Sequence, residues 1–221
     1  MKRKQYKKNS GFTLIELLVV IGIFILVTST VIFDYGSFRS NTALNNLASD
    51  VGLSVRKAQS YAIGAYGQGA NFNYAYGVHF STASVPVIYP QRGSSKAFMQ
   101  FTDISGNRLY NSDGITLCSA TAPTSSNECT ERLDINGTSV ISAIYLNSSS
   151  TPIPTGGSVD IVFVRPNPDA YFCYRSDDSH SSCDAPTSIS NVKIELSDAV
   201  RGVANGVRYV TIWSTGQIST Q

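Results

Sequence analysis

The side chains able to do chemistry are few and unevenly placed. Four cysteines fall into two local pairs, Cys118 with Cys129 and Cys173 with Cys183. Thiols of this kind form disulfides, ligate metals or stay free, and four of them allow three disulfide connectivities. The nearest-neighbour pattern closes loops of about ten residues, each contributing about 3 kcal/mol in the chain-entropy picture. The enclosed segments, SATAPTSSNE and YRSDDSHSS, read as polar loops that a bridge would tether. Neither pair has the C-x2-C spacing of common zinc sites, and the only histidines are His79 and His180. Disulfides are the expectation and no metal is assigned. Asp177, Asp178, His180 and Asp184 cluster in the second loop, where their oxygens could serve a hard cation. Their spacing is not that of an EF-hand, and they read as a solvated turn. His79 lies in an apolar strand and reads as structural. No G-x-S-x-G, H-E-x-x-H or P-loop is present, and nothing motivates a Ser/His/Asp triad. The expectation is a protein with no catalysis of its own and no cofactor.

One further ionisable residue, Glu16, stands out through its surroundings. The 221 residues carry 17 Lys plus Arg against 15 Asp plus Glu, a net charge of +2, with 42% apolar residues. Such a chain suits one domain, or one domain plus an attached segment. It is too apolar for a disordered chain and too poor in cysteine for a disulfide-dense miniprotein. The small net charge does not suggest a nucleic-acid binder. Lys2, Arg3, Lys4, Lys7 and Lys8 all precede Gly11 with no acid among them, and without them 12 basic residues face 15 acidic ones. Residues 12–33, FTLIELLVVIGIFILVTSTVIF, follow with Glu16 as their only charge. As a helix this run spans about 33 Å, enough to cross a bilayer core. It is longer than the apolar part of a secretory signal and lacks a small-residue cleavage site. A lipoprotein signal would need a cysteine just after the run, and the first is Cys118. A plain signal anchor leaves Glu16 unexplained, because a carboxylate in a transmembrane helix needs a partner.

The segment Gly11-Phe12-Thr13-Leu14-Ile15-Glu16 closely resembles the processing site of type IV prepilins and pseudopilins. The resemblance implies cleavage between Gly11 and Phe12 by a membrane peptidase on the cytoplasmic side. N-methylation of Phe12 then follows, and the apolar helix is retained as an anchor. It also implies that Glu16 pairs with the Phe12 amine of a neighbouring subunit entering a filament. Glu16 stands one helical turn beyond Phe12. A carboxylate near a helix N-terminus is also favourable by itself, and the two roles can coexist. The basic residues before the run, against Arg39 alone in the fifteen after Phe33, place the N-terminus in the cytoplasm and export the rest. The implied partners are other pilin or pseudopilin subunits, a prepilin peptidase/methyltransferase, the inner-membrane assembly platform and membrane lipid.

These residues need elements to hold them. Helical periodicity continues past the apolar run, with Leu44, Leu47, Ala48, Val51, Val55, Ala58 and Ala62 on one face. Asn45, Asn46, Ser49, Asp50, Arg56, Lys57 and Ser60 occupy the other. One helix is predicted from about Phe12 to about Ile63. Many pilins carry a kinking proline about twenty residues into the mature helix; here local unwinding would have to use Gly22 or Thr28-Ser29-Thr30. Gly64–Gly77 reads as a loop. β-rich runs follow at Tyr76–Phe80, Val85–Tyr89, Ala97–Thr102, Ile115–Cys118, Val140–Leu146, Val159–Arg165, Ala170–Arg175, Val192–Leu196 and Val207–Trp213, separated by turn residues. The predicted class is α+β: a long N-terminal helix on a mostly antiparallel, sandwich-like β body. The predicted organisation is a cleaved leader (1–11), a transmembrane half-helix (12–33), an amphipathic half-helix (34–64), a Gly-rich loop (65–77) and an exported β domain (78–221).

That pattern resembles the GspH/FimT type of minor pilins and pseudopilins. Local likenesses are SVRKAQ (Ser54–Gln59), Tyr76-Gly77-Val78-His79-Phe80, Asp160-Ile161-Val162-Phe163 and the closing run Tyr209–Ile218 around Gly216. Some members of this subfamily bind DNA through basic residues near the C-terminus. Here only Arg201 and Arg208 follow Lys193, and Gln217 stands where an arginine would help. A nucleic-acid partner is therefore not expected. The alternatives to a filament subunit are a DNA-binding minor pilin and a membrane-anchored surface adhesin.

Overall fold

A run dominated by Leu, Ile, Val and Phe and free of proline commits the N-terminal segment to helix, since in an apolar setting only internal hydrogen bonding satisfies the backbone. In the computed structural model α1 runs Leu14–Ile63. The structure describes residues 11–64, 66–67, 73–84, 92–177, 182–184, 189–200 and 206–221, without the side chains of 31–35 and 37. The chain divides into two compact units, Met1–Arg39 and Ser40–Gln221.

In the first unit the large apolar side chains from Phe12 to Val27 are 49–82% exposed. The hydroxyls of Thr28, Ser29 and Thr30 donate to the carbonyls of Phe24, Leu26 and Val27 at 2.7, 2.8 and 2.8 Å. The polar triplet is thus satisfied inside the helix, which continues through it and through Gly22. Among the described residues no helix is long and apolar enough to cross a membrane. The run with described side chains ends at Thr30, which gives about 25 Å against a bilayer core of about 30 Å. The expected 12–33 span extends into 31–33, whose side chains lie outside the described residues.

Among the described residues the second unit holds the C-terminal part of α1 and nine strands: β1 (Ala75–Ser81), β2 (Ala97–Asp103), β3 (Cys129–Asp134), β4 (Ser139–Leu146), β5 (Ser158–Phe163), β6 (Ala170–Arg175), β7 (Asn191–Asp198), β8 (Arg208–Trp213) and β9 (Ile218–Thr220). They form two antiparallel sheets, β3-β2-β1-β5-β6 and β4-β7-β8-β9. The protein is α+β with a mostly antiparallel β body. All seven residues of the expected apolar helix face, Leu44 through Ala62, are buried in the main core. They share it with Tyr76, Val78 and Phe80 of β1, Val159, Ile161 and Phe163 of β5, and Val192, Ile194, Leu196, Val210 and Ile212 of the second sheet.

β1, β2 and β5 are buried on both faces. Their second face carries Gly77, His79, Met99, Phe101, Asp160 and Val162, and the segment 104–128 covers it. That cover has almost no ladder of its own, so side chains satisfy its amides. Glu128 accepts from the amides of Ile104, Ser105 and Asn111; Asp103 from those of Asn107 and Arg108; Asp160 from that of Tyr110; and Asp113 from those of Ile115 and Thr116. Gly77 permits this layering: a Cβ there would lie 2.5 Å from the Phe101 ring and 2.7 Å from the Ile161 carbonyl.

Several expectations are corrected. Ile115–Cys118 is not a strand. Asp113 turns it into a capped loop, and Ile115 and Leu117 are exposed. Val85–Tyr89 lies outside the described residues. β3 went unread because Glu131, Arg132 and Asp134 broke its apolar pattern; the strand is an edge, where charges are tolerated. β1 begins at Ala75, inside the stretch expected to be loop.

Candidate functional site

The N-terminal motif opens α1. Gly11, Phe12 and Thr13 precede the helix, are exposed and have no regular secondary structure. Thr13 and Glu16 form a capping box. The Glu16 carboxylate accepts from the Thr13 amide at 3.1 Å and from its hydroxyl at 3.0 Å, and the Glu16 amide donates to Thr13 Oγ1 at 3.3 Å. Three residues separate the pair, as the reciprocal geometry requires. The Gly11–Phe12 peptide therefore stands outside the helix. In the chain by itself Glu16 serves the helix start, the simpler of the two roles its sequence position allowed. Any pairing with an amine must compete with these contacts.

The cysteines are bridged Cys118–Cys129 and Cys173–Cys183, with Cα separations of 4.6 and 5.3 Å. The first bridge closes the far end of the cover at the start of β3. There Asn127 Nδ2 also donates to the carbonyls of Thr116 and Leu117. Replacing Cys118 and Cys129 together by serine is expected to lower stability by about 3 kcal/mol, read as the loss in a urea titration of the full chain. In the second loop Asp184 accepts from the amide and hydroxyl of Ser176. Asp178 and His180 lie outside the described residues. Among the described residues no group of three or more His, Cys, Asp or Glu could hold a metal ion.

His79 is fully buried, in the role of a structural residue that the strand context suggested. Its Nδ1 lies 2.6 Å from Asp160 Oδ1 and its Nε2 3.0 Å from the Arg92 carbonyl. Arg175 reaches Asp160 Oδ2 at 3.0 Å. Adjacent strands deliver the three groups, since β1 sets His79 opposite Asp160 and β5 pairs with β6. Burial pushes the Asp160 carboxyl up, but Arg175 and His79 together outweigh it and hold the group below its ordinary value. Sequence reasoning passed over Asp160 and Arg175. The available signal was a charge inside an apolar strand, which must find a partner.

Glu128, also fully buried, is another missed carboxylate. Burial first, then the nearby Asp103, raises it to about 7 against the pull of the Ser105 and Asn111 amides. A carboxyl raised on folding is protonated in the folded chain and ionised in the unfolded one between the two values. Stability therefore falls as pH rises from about 4.5 to about 7, by about 3 kcal/mol at most. Glu128→Gln is expected to abolish that slope, measured as urea midpoints across the interval.

Basic residues near the C-terminus do not gather into a patch in the described structure. Arg208 donates to Asn45 and to the Val207 carbonyl, and Arg201 lies outside the described residues. Two of the family-like fragments do meet: Gln59 Nε2 donates to the carbonyls of Gly216 (3.1 Å) and Pro168 (3.0 Å), closing the last turn onto α1.

No curated protein and no solved structure matches the chain. Residues 6–32 match the family model described as the prokaryotic N-terminal methylation motif. That stretch contains Gly11, Phe12, the Thr13–Glu16 capping box and the exposed apolar half of α1. The chain thus carries the N-terminal methylation motif that marks type IV pilin- and pseudopilin-like proteins.

Proposed function

We propose that this protein is a minor pilin or pseudopilin subunit that assembles into a type II secretion pseudopilus or a type IV pilus and catalyses nothing itself. The observation that carries the reading is the methylation motif at residues 6–32, set at the start of a helix whose apolar side chains stand exposed. A surface of that kind needs lipid or other helices around it. On this reading the peptidase cuts between Gly11 and Phe12, Phe12 is N-methylated, and residues 12–33 hold the subunit in the inner membrane with its N-terminus in the cytoplasm. The disulfide-bridged body is then exported, which suits an oxidising compartment. Force for assembly comes from the platform and its motor, so the chain needs no active site. Cross-linking in cells tests this. Links to other pilin-like subunits are expected only where the prepilin peptidase is present. Absence of such links in peptidase-positive cells would contradict it.

A further inference from the structure

The cover segment holds an arginine that the fold alone does not explain. Arg108 has φ of 60°, a left-handed conformation that side chains other than glycine and asparagine rarely adopt. It is kept there by Asp103, itself 3% exposed, whose Oδ2 accepts the Arg108 amide at 2.9 Å and whose Oδ1 accepts the Asn107 amide at 3.1 Å. The buried Glu128 fixes the same loop through Ile104, Ser105 and Asn111. A purely structural turn would be better served by glycine at 108. Instead the side chain is exposed and its guanidinium lies over the Tyr171 ring, 4.1 Å from the centroid. Among the described residues that guanidinium makes no hydrogen bond and no ion pair. Its N–H donors are held in a fixed plane by the ring beneath and remain available at the edge.

Beside it lies a concavity of about 340 Å³ at one end of the first sheet. Arg108, Tyr74, Ile104 and Val164 line it, with Asn73 and Asp103 as further polar groups. The size is that of a small-ligand pocket. We propose that this concavity binds a small monocarboxylate, its carboxylate on the Arg108 guanidinium and its body against Tyr74, Ile104 and Val164. An arginine fork matches a carboxylate two bonds at a time. One guanidinium balances one negative charge. The Asp103 carboxylate in the wall opposes a more highly charged anion such as phosphate. The site lies within the second unit.

The test is a ligand-observed NMR titration of the full, processed chain in a non-ionic detergent. Sodium benzoate is the probe, benzyl alcohol its uncharged counterpart and inorganic phosphate the competing anion. Benzoate is expected to saturate, benzyl alcohol not to, and phosphate not to displace benzoate. Arg108→Gly is expected to weaken benzoate at least tenfold while Tm stays level or rises, because glycine suits the backbone there. Tyr171→Ala is expected to weaken it too, by loosening the guanidinium. The proposal is overturned by a lack of saturation with benzoate, by equal binding of the alcohol, by tighter binding of phosphate, or by unchanged benzoate binding in Arg108→Gly. A lower Tm in Arg108→Gly would make the guanidinium structural and overturn it as well.

Discussion

Glu16→Gln is expected to leave cleavage at Gly11–Phe12 intact and to reduce incorporation into a filament at least tenfold. The choice of glutamine matters. In the described structure Glu16 completes a capping box with Thr13, and glutamine can make the same reciprocal bonds. The variant therefore keeps the helix start and removes only the charge. If Glu16 acts by pairing with the Phe12 ammonium of a neighbour, a neutral amide cannot replace it inside a membrane or filament, where an unmatched ammonium is strongly disfavoured. Glu16→Ala removes both roles and should be equally defective in assembly while still being processed. Normal assembly of the glutamine variant would show that capping suffices and that no charge pairing sets the register. Quantitative blotting of sheared filaments against total processed subunit gives the comparison.

Asp160→Ala should be the most destabilising single change in the body, at about 3–5 kcal/mol, the usual result of removing one partner from a buried ion pair. It would strand the Arg175 guanidinium, the His79 imidazole and the Tyr110 amide together, all of which now face this carboxylate. Because the Asp160 carboxyl is held below its ordinary value, its contribution is fully present above about pH 3.8 and lost as pH falls further through the folded value. Urea titration at pH 7 measures the loss. A change below about 1 kcal/mol would mean that the surrounding groups find other partners and that the cluster is not a keystone of the second sheet face.

The two halves of this molecule were legible to different degrees, for physical reasons. Helical periodicity is local, so the seven-residue face from Leu44 to Ala62 could be read before any partner was known, and all seven are buried. The processing motif was readable because contiguous residues carry it. The cover over the first sheet was not readable. Its amides are satisfied by the carboxylates of Asp103 and Glu128 at its two ends and of Asp160 on β5, and no apolar periodicity announces such contacts. Ile115–Cys118 looked like a strand because two aliphatic residues alternate there, while Asp113 and Asn127 impose a turn instead. β3 was not legible as a strand because Glu131, Arg132 and Asp134 interrupt its apolar pattern, which an edge strand tolerates. Arg108 gave no sequence signal at all; its interest lies in a backbone angle and a ring 4.1 Å away.

The central claim is that the leader through Gly11 is removed and that Phe12 becomes the mature N-terminus of a filament subunit. Intact-mass and N-terminal peptide mass spectrometry of the membrane-extracted protein measures it directly. The account predicts a chain beginning at Phe12 with one added methyl group on its amine. An intact Met1, or a first residue other than Phe12, would contradict it.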